Sequence, residues 1–256
     1  MSHAFRSPND FVWPGTEVLR NKLGLREQAE LTEAERRRTS GRILQLRLAP
    51  VSGNFDLQHL QAVHAHLFQD VYAWAGQVRS FPLSKGGDLF CQPEHIGTYA
   101  GEVFGRLAGK DALRGLDEDT FVDEAAELLG DLNALHPFRE GNGRTQRAFL
   151  EQLSDGAGHP IVWPDGVEER NIVASRASLR GDNTGLGALI AAGLQPAVPR
   201  GGEAEGARSG EGTPPGAALT EEERDVAEVR GGRRTKTIQD IVNTATEAGG
   251  REQGPE

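Results

Sequence analysis

His136-Pro137-Phe138-Arg139-Glu140-Gly141-Asn142-Gly143-Arg144-Thr145-Gln146-Arg147 joins the end of one apolar helical pattern to the start of another. Its parts suit a single chemistry. Glycine accepts positive φ and asparagine tolerates it, so Gly141-Asn142-Gly143 can turn successive N–H groups into one anion-binding concavity. A helix N-terminus follows directly, and its partial positive charge also favours phosphate. Arg144 and Arg147 lie three residues apart in the first turns of that helix, where both can lean toward one site and grip phosphate oxygens in pairs. Glu140 is an acid beside an anion site, an arrangement that fits Mg²⁺ held by one carboxylate plus phosphate oxygens. His136 stands at the entrance and can take a proton from a hydroxyl near neutral pH. Phe138, apolar between polar neighbours, anchors the loop in the core. A lone Gly-Asn-Gly is usually a turn, a lone histidine at a helix end a cap, and an arginine pair at this spacing a solvated face. The order in which they occur at a helix–loop–helix junction carries the functional reading.

Working outward, Phe121, Ala125, Leu128, Leu129, Leu132 and Leu135 form a wide apolar stripe that predicts a helix over 120–135, capped by Asp119 or Thr120 and stopped by Pro137. A second helix is expected from Asn142 to about Gly156, with shorter ones over 165–180 and 184–194. Upstream, Asp56 caps a helix carrying Leu57, Leu60, Val63 and Leu67. Lys85-Gly86-Gly87-Asp88, flanked by Val78, Phe81, Leu83, Leu89 and Phe90, reads as a β-hairpin, and a helix over 94–107 follows it. Thr32 with Glu35 has the spacing of a capping box and predicts a helix that stops at Pro50. Residues 16–23 read as a short helix ended by Gly24. The expected organisation is an N-terminal arm over 1–15 that buries Phe11 and Trp13, a helical domain over 16–197, and a tail over 198–256. The tail, rich in Gly, Glu, Pro, Arg and Ser, is expected to be disordered, with one short helix around Ile238.

The net charge of −10 and pI near 5.3 argue against direct nucleic-acid binding, which needs a basic face. One cysteine, Cys91, makes no internal disulfide and fits a reducing compartment. With neither a secretion signal nor a membrane-length apolar run in view, the expectation is a cytoplasmic protein without a membrane partner.

The 136–147 run resembles the signature of the Fic (Fido) family, His-x-Phe-x-(Asp/Glu)-Gly-Asn-Gly-Arg-x-x-Arg, and matches it at every constrained position. Tyr72-Ala73-Trp74-Ala75-Gly76, Arg79 and Lys85-Gly86-Gly87 resemble the stretch leading into that family's hairpin flap. The resemblance covers about residues 10–195. It implies a mainly α fold with a small β-hairpin flap, and an enzyme that transfers AMP from ATP to a Tyr, Thr or Ser hydroxyl of a target protein. By the same resemblance His136 is the base and Glu140 the Mg²⁺ holder. Gly141, Asn142 and Gly143 bind the α- and β-phosphates, Arg144 and Arg147 brace the β- and γ-phosphates, and the flap at Lys85, Gly86 and Gly87 docks the target as an added strand. The glycine at 143, where the phosphotransferase branch has lysine, favours nucleotidyl transfer. Bacterial relatives of this size often act as toxins.

Many family members carry an inhibitory Ser/Thr-x-x-x-Glu-(Gly/Asn) helix whose glutamate pairs with the second signature arginine. No Glu-Gly or Glu-Asn pair in this chain has the required Ser or Thr four residues earlier. The reading is therefore that inhibition comes from a separate small antitoxin-like protein or is absent. His59, His64 and His66 read as ordinary surface or core histidines, and Cys91 as a small buried residue. Two alternatives stay open: the same motif used with UTP, GTP or a phosphocholine nucleotide, and a non-catalytic nucleotide-binding regulator.

Overall fold

The computed structural model describes residues 7–196. The expected tail over 198–256 and its helix around Ile238 lie outside the described residues. Within them the chain is helical apart from one short hairpin: α1 (Gln28–Leu48), α2 (Leu57–Phe68), β1 (Ser84–Lys85), β2 (Asp88–Leu89), α3 (Ile96–Gly109), α4 (Glu118–Leu135), α5 (Asn142–Ala157), α6 (Val167–Ser178) and α7 (Thr184–Gly193).

Helix α4 is the axis of the fold. Its apolar stripe from Phe121 to Leu135 is buried, and α3, α5 and α7 pack around it. Side chains of this size each gain roughly 1.5–3 kcal/mol on burial, so the stripe fixes where the helix sits. Its cap is Asp117, not the expected Asp119 or Thr120, with a carboxylate that accepts from Thr120 N at 3.0 Å and Thr120 Oγ1 at 2.8 Å. Glu118 and Asp119 then occupy the first turn, where acidic groups complement the helix dipole. Helix α5 buries Ala148, Phe149, Leu150 and Leu153 against α2 and α4. Helix α2 is capped by Asp56 as expected, through His59 N at 2.8 Å.

Two local expectations fail. Residues 16–23 form no helix. Gly15 turns the chain at φ +75°, and it returns antiparallel to itself, with Trp13 N on Val18 O at 2.9 Å and Arg20 N on Phe11 O at 2.7 Å. A helix of two turns has too few internal bonds to compete with that pairing. The fold-back places Phe11 between Trp74 and Phe81, at ring distances of 5.4 and 5.2 Å, so the described part of the arm, from residue 7, packs on the core. Helix α1 starts at Gln28, not after Thr32. The Thr32 hydroxyl bonds Gln28 O inside the helix, and Glu35 turns to the interior.

The hairpin forms where expected. Ser84 pairs with Leu89 and Lys85 with Asp88, across a turn in which Gly86 and Gly87 take φ of +61° and +87°. Helices α6 and α7 pack on each other and on α4. Among the described residues no helix is long and apolar enough to cross a membrane.

Candidate active site

The loop from α4 to α5 is shaped by its own side chains. His136 ends α4 in the left-handed region, φ +41°, which turns its imidazole out of the helix. Its Nδ1 lies 3.2 Å from Asn133 O. A carbonyl can only accept, so Nδ1 carries the proton and Nε2 is left with its lone pair. Phe90 stacks on the ring at 3.7 Å and 11°. Burial pushes the imidazole down to about 3, and the charges of Arg79 and Lys85 act in the same direction. The imidazole is therefore neutral at physiological pH, with the Nε2 lone pair free.

Arg79 is itself buried and works as a hub. Its Nε donates to His136 O at 2.8 Å and its Nη1 to Phe81 O at 2.8 Å, while Nη2 serves Cys91 O. One guanidinium thus ties the signature loop to both ends of the flap segment. Next along the loop, Phe138 is buried, and Asn142 brackets its backbone: Oδ1 accepts from Phe138 N at 3.0 Å and Nδ2 donates to Phe138 O at 2.9 Å. Gly141 stands at φ +81°, and a Cβ there would come within 2.3 Å of the Phe68 ring. Conformation and space both demand glycine.

The expected cradle is narrower than three positive-φ residues. Gly141 alone takes positive φ; Asn142 and Gly143 are the first residues of α5. A Cβ on Gly143 would meet nothing closer than ordinary contact distance, 3.5 Å to Arg147. No side chain caps the helix, so its first amides are open to an anion.

Glu140 accepts from Gly141 N through Oε1 at 2.9 Å and lines the cavity with its side chain 39% exposed. Beneath it His64, fully buried, holds the loop. Its Nδ1 accepts from Gly76 N at 2.8 Å, so its Nε2–H donates to Glu140 O at 3.0 Å. Its ring stacks on Phe138 at 4.0 Å. Burial lowers His64 to about 4, outweighing the bond to Glu140.

A cavity of about 350 Å³ opens between this loop, the flap and α6. His136, Glu140, Asn142 and Gly143 line it from the loop, Lys85 and Asp88 from the flap, and Asn171, Ser175 and Arg176 from α6. Of the residues expected from sequence, Gly141 lies under Phe68, and Gly86 and Gly87 sit at the hairpin tip. Arg144 and Arg147 are held elsewhere. Arg144 pairs with Glu35 of α1, lies over the Phe68 ring at 4.8 Å, and stands 4.0 Å from Glu140. Arg147 pairs with Glu168 of α6 at 3.0 Å. Glu35 also accepts from Tyr72 Oη.

Sequence reasoning gave no site role to Glu35, His64, Phe90, Glu168, Asn171 and Ser175, which reach the site from other elements. Arg79 was named only as part of the stretch leading into the flap, with no sign of its contacts to the loop. Asn171 Oδ1 and Ser175 Oγ are buried without a hydrogen-bond partner, as befits groups that face a ligand pocket. Cys91 is buried as expected, its thiol pushed up to about 11 by burial. Among the described residues no group of three or more His, Cys, Asp or Glu side chains could hold a metal. A lone Glu140 on the cavity wall still fits Mg²⁺, which is usually bound through one or two carboxylates plus substrate phosphates.

Residues 54–154 match the Fic/DOC family. Protein adenylyltransferase VbhT of Bartonella schoenbuchensis is 41% identical over 188 residues, which are 73% of this chain and 39% of VbhT. The chain therefore spans well under half of that relative. Probable protein adenylyltransferase y4lH of Sinorhizobium fredii is 41% identical over 70% of this chain and 92% of its own length. Among solved structures, Bartonella tribocorum BepC with bound AMPPNP superposes with TM-score 0.70 at 26% identity, covering 73% of this chain and 97% of that one. The N-terminal Fic domain of a Bartonella quintana effector with bound ADP gives TM-score 0.69 at 30% identity, covering 73% and 95%.

Proposed function

The chain belongs to the Fic/DOC family, and from that premise we propose that it is a protein adenylyltransferase, moving AMP from ATP to a Tyr, Thr or Ser hydroxyl of a target protein. The observation that carries the reading is the unprotonated Nε2 of a neutral His136, set on the cavity wall beside the uncapped end of α5.

The steps follow from those positions. The phosphates of ATP bind against the open amides of Asn142, Gly143 and Arg144, where the helix dipole favours negative charge. Glu140 would hold Mg²⁺ together with phosphate oxygens, and the ion would supply charge neutralisation there. Arg144 and Arg147 brace the outer phosphates after leaving Glu35 and Glu168. Glu168 is 62% exposed, so its departure leaves the carboxylate in water rather than stranded. The target segment lies along the flap by main-chain pairing, with Lys85, Gly86 and Gly87 at its turn. His136 Nε2 takes the hydroxyl proton as that oxygen bonds to the α-phosphorus. The bond from the α-phosphorus to the bridging oxygen breaks, and pyrophosphate leaves. Asn142, Arg79 and His64 keep the loop rigid, which is how a protein contributes most to phosphate-group transfer.

The biological setting we propose is cytoplasmic and toxin-like, with any restraint from outside supplied by a separate antitoxin-like protein; within the chain, Arg147 is already paired with Glu168, a contact that a bound nucleotide must displace. Co-expression with genes adjacent to its own tests the restraint. The chemistry is tested by incubating purified chain, Mg-ATP and host lysate and searching by mass spectrometry for a protein gaining one adenylyl group on Tyr, Thr or Ser. Adducts that require His136 support the proposal. Labelling by UTP, GTP or a phosphocholine nucleotide but not ATP would redirect it to another donor.

A further inference from the structure

The flap is small for a docking element. Two residues per strand make a hairpin that has little stability alone in water. Something must fix it over the cavity, and the side chains of Asp88 and α6 do so. Although Asp88 stands at the tip, its side chain is only 15% exposed, because two guanidinium groups cover it. Arg176 Nε lies 3.3 Å from one carboxylate oxygen and Arg180 Nη2 3.1 Å from the other. Arg176 Nη2 also donates to Gly86 O at 3.4 Å. The approach is so close that a Cβ on Gly86 would fall 1.7 Å from Arg176 Nη2. Arg180 in turn donates to Arg176 O at 2.7 Å, so the two cations are presented together at the C-terminal end of α6, where the helix dipole favours them.

The other end of the same strand touches the reacting centre. Side chains alternate along β2 and its continuation. Leu89 is exposed, while Asp88 and Phe90 both line the cavity, and Phe90 stacks on His136 at 3.7 Å. One three-residue segment therefore runs from an ion-paired clamp on α6 to the ring lying against the base.

We propose that Asp88 is a positioning residue for adenylyl transfer. Clamped by Arg176 and Arg180, it sets the height of the flap above the cavity, and so the register in which a target hydroxyl meets His136. This rests on the transfer reading above, which makes the flap the target's dock. A single exposed ion pair is worth little. Here two cations and a carbonyl contact act on an element with little stability of its own, so their loss should be felt in its opening.

The test uses the full chain with Asp88→Asn, Asp88→Glu and Arg180→Gln; Arg180 does not line the cavity. Three quantities are read: hydrogen exchange of residues 83–90, affinity for a fluorescent ATP analogue, and labelling of host lysate by radiolabelled ATP across a lysate dilution series. Asp88→Asn and Arg180→Gln are expected to speed exchange in the flap about five-fold, the size of a worthwhile surface pair. They should raise the lysate concentration for half-maximal labelling by a similar factor, with nucleotide affinity unchanged in Arg180→Gln, whose side chain lies off the cavity, and with Asp88→Glu restoring most of the flap exchange and labelling. Flap exchange at the wild-type rate in both variants overturns the clamp. Faster exchange with unchanged half-maximal labelling overturns the positioning role. A wild-type chain that labels nothing defeats the transfer reading instead, and the exchange measurement still decides the clamp.

Discussion

His136 combines three constraints at one residue: a left-handed backbone, a proton on Nδ1 directed at Asn133 O, and a phenylalanine ring on its face. Replacing it with alanine removes the proposed base and leaves the α5 amides intact. His136→Ala should lower transfer on the order of 100-fold or more, the usual worth of a general base, while a fluorescent ATP analogue binds as before. Because burial holds the ring near 3, an NMR titration of the free chain should show His136 uncharged at pH 5.5, where an ordinary histidine is mostly protonated; a midpoint near 6.5 would contradict the burial argument. Glu168 makes a second case. Its carboxylate occupies Arg147 and competes with any phosphate for it, so Glu168→Gln should tighten ATP binding about two- to five-fold, measured by calorimetry. Weaker binding would mean that Glu168 orders Arg147 for the nucleotide instead of withholding it. The signature named His136 and Glu140, which line the cavity, because both lie within twelve consecutive residues; it also named Arg144 and Arg147, which are held off the cavity by Glu35 and Glu168. It gave no hint of Glu35 and Glu168, since an ion partner contributed by a distant helix leaves no local pattern.

At the scale of elements, the α4–loop–α5 unit was legible because a long apolar stripe has one periodicity and a proline ends it. The hairpin was legible from its glycines. The fold-back at 16–20 and the early start of α1 were not: short segments are decided by pairing and burial that local propensity does not encode. Even in the loop the reading was right about glycine at 141 for a reason only half visible. Its positive φ follows from residue type, but the Phe68 ring against its α-carbon is a tertiary fact. Gly141→Ala meets both penalties and should destabilise the chain by about 2 kcal/mol or more, read from urea unfolding. Gly143→Ala, with space at its α-carbon, should leave stability within about 0.5 kcal/mol. Equal losses at the two positions would show that the loop tolerates a side chain at 141 after all.

For the molecule as a whole, buried imidazoles couple the fold to pH, His64 and His136 most strongly, with burial lowering His59 in the same direction. Folded, His64 stays neutral down to about 4 and His136 to about 3; unfolded, both take up protons near 6.5. Between those values the unfolded chain binds more protons, so stability is full above about pH 6.5 and falls as pH drops toward 4. The loss should amount to roughly 1 kcal/mol per pH unit for each histidine. His64→Gln, measured by urea unfolding from pH 7 to 5, should flatten that slope; an unaltered slope would assign the acid sensitivity elsewhere. The same His64 carries Glu140 by its backbone, so core stability and the geometry of the site are linked through one ring. The measurement that bears most directly on the central claim is a crystal structure of the chain soaked with Mg²⁺ and a non-hydrolysable ATP analogue. The account expects the α- and β-phosphates on the amides of Asn142 to Arg144, Arg147 released from Glu168, and His136 Nε2 facing the α-phosphorus from the side opposite pyrophosphate. Phosphates bound away from the start of α5, or an imidazole turned from the α-phosphorus, would contradict it.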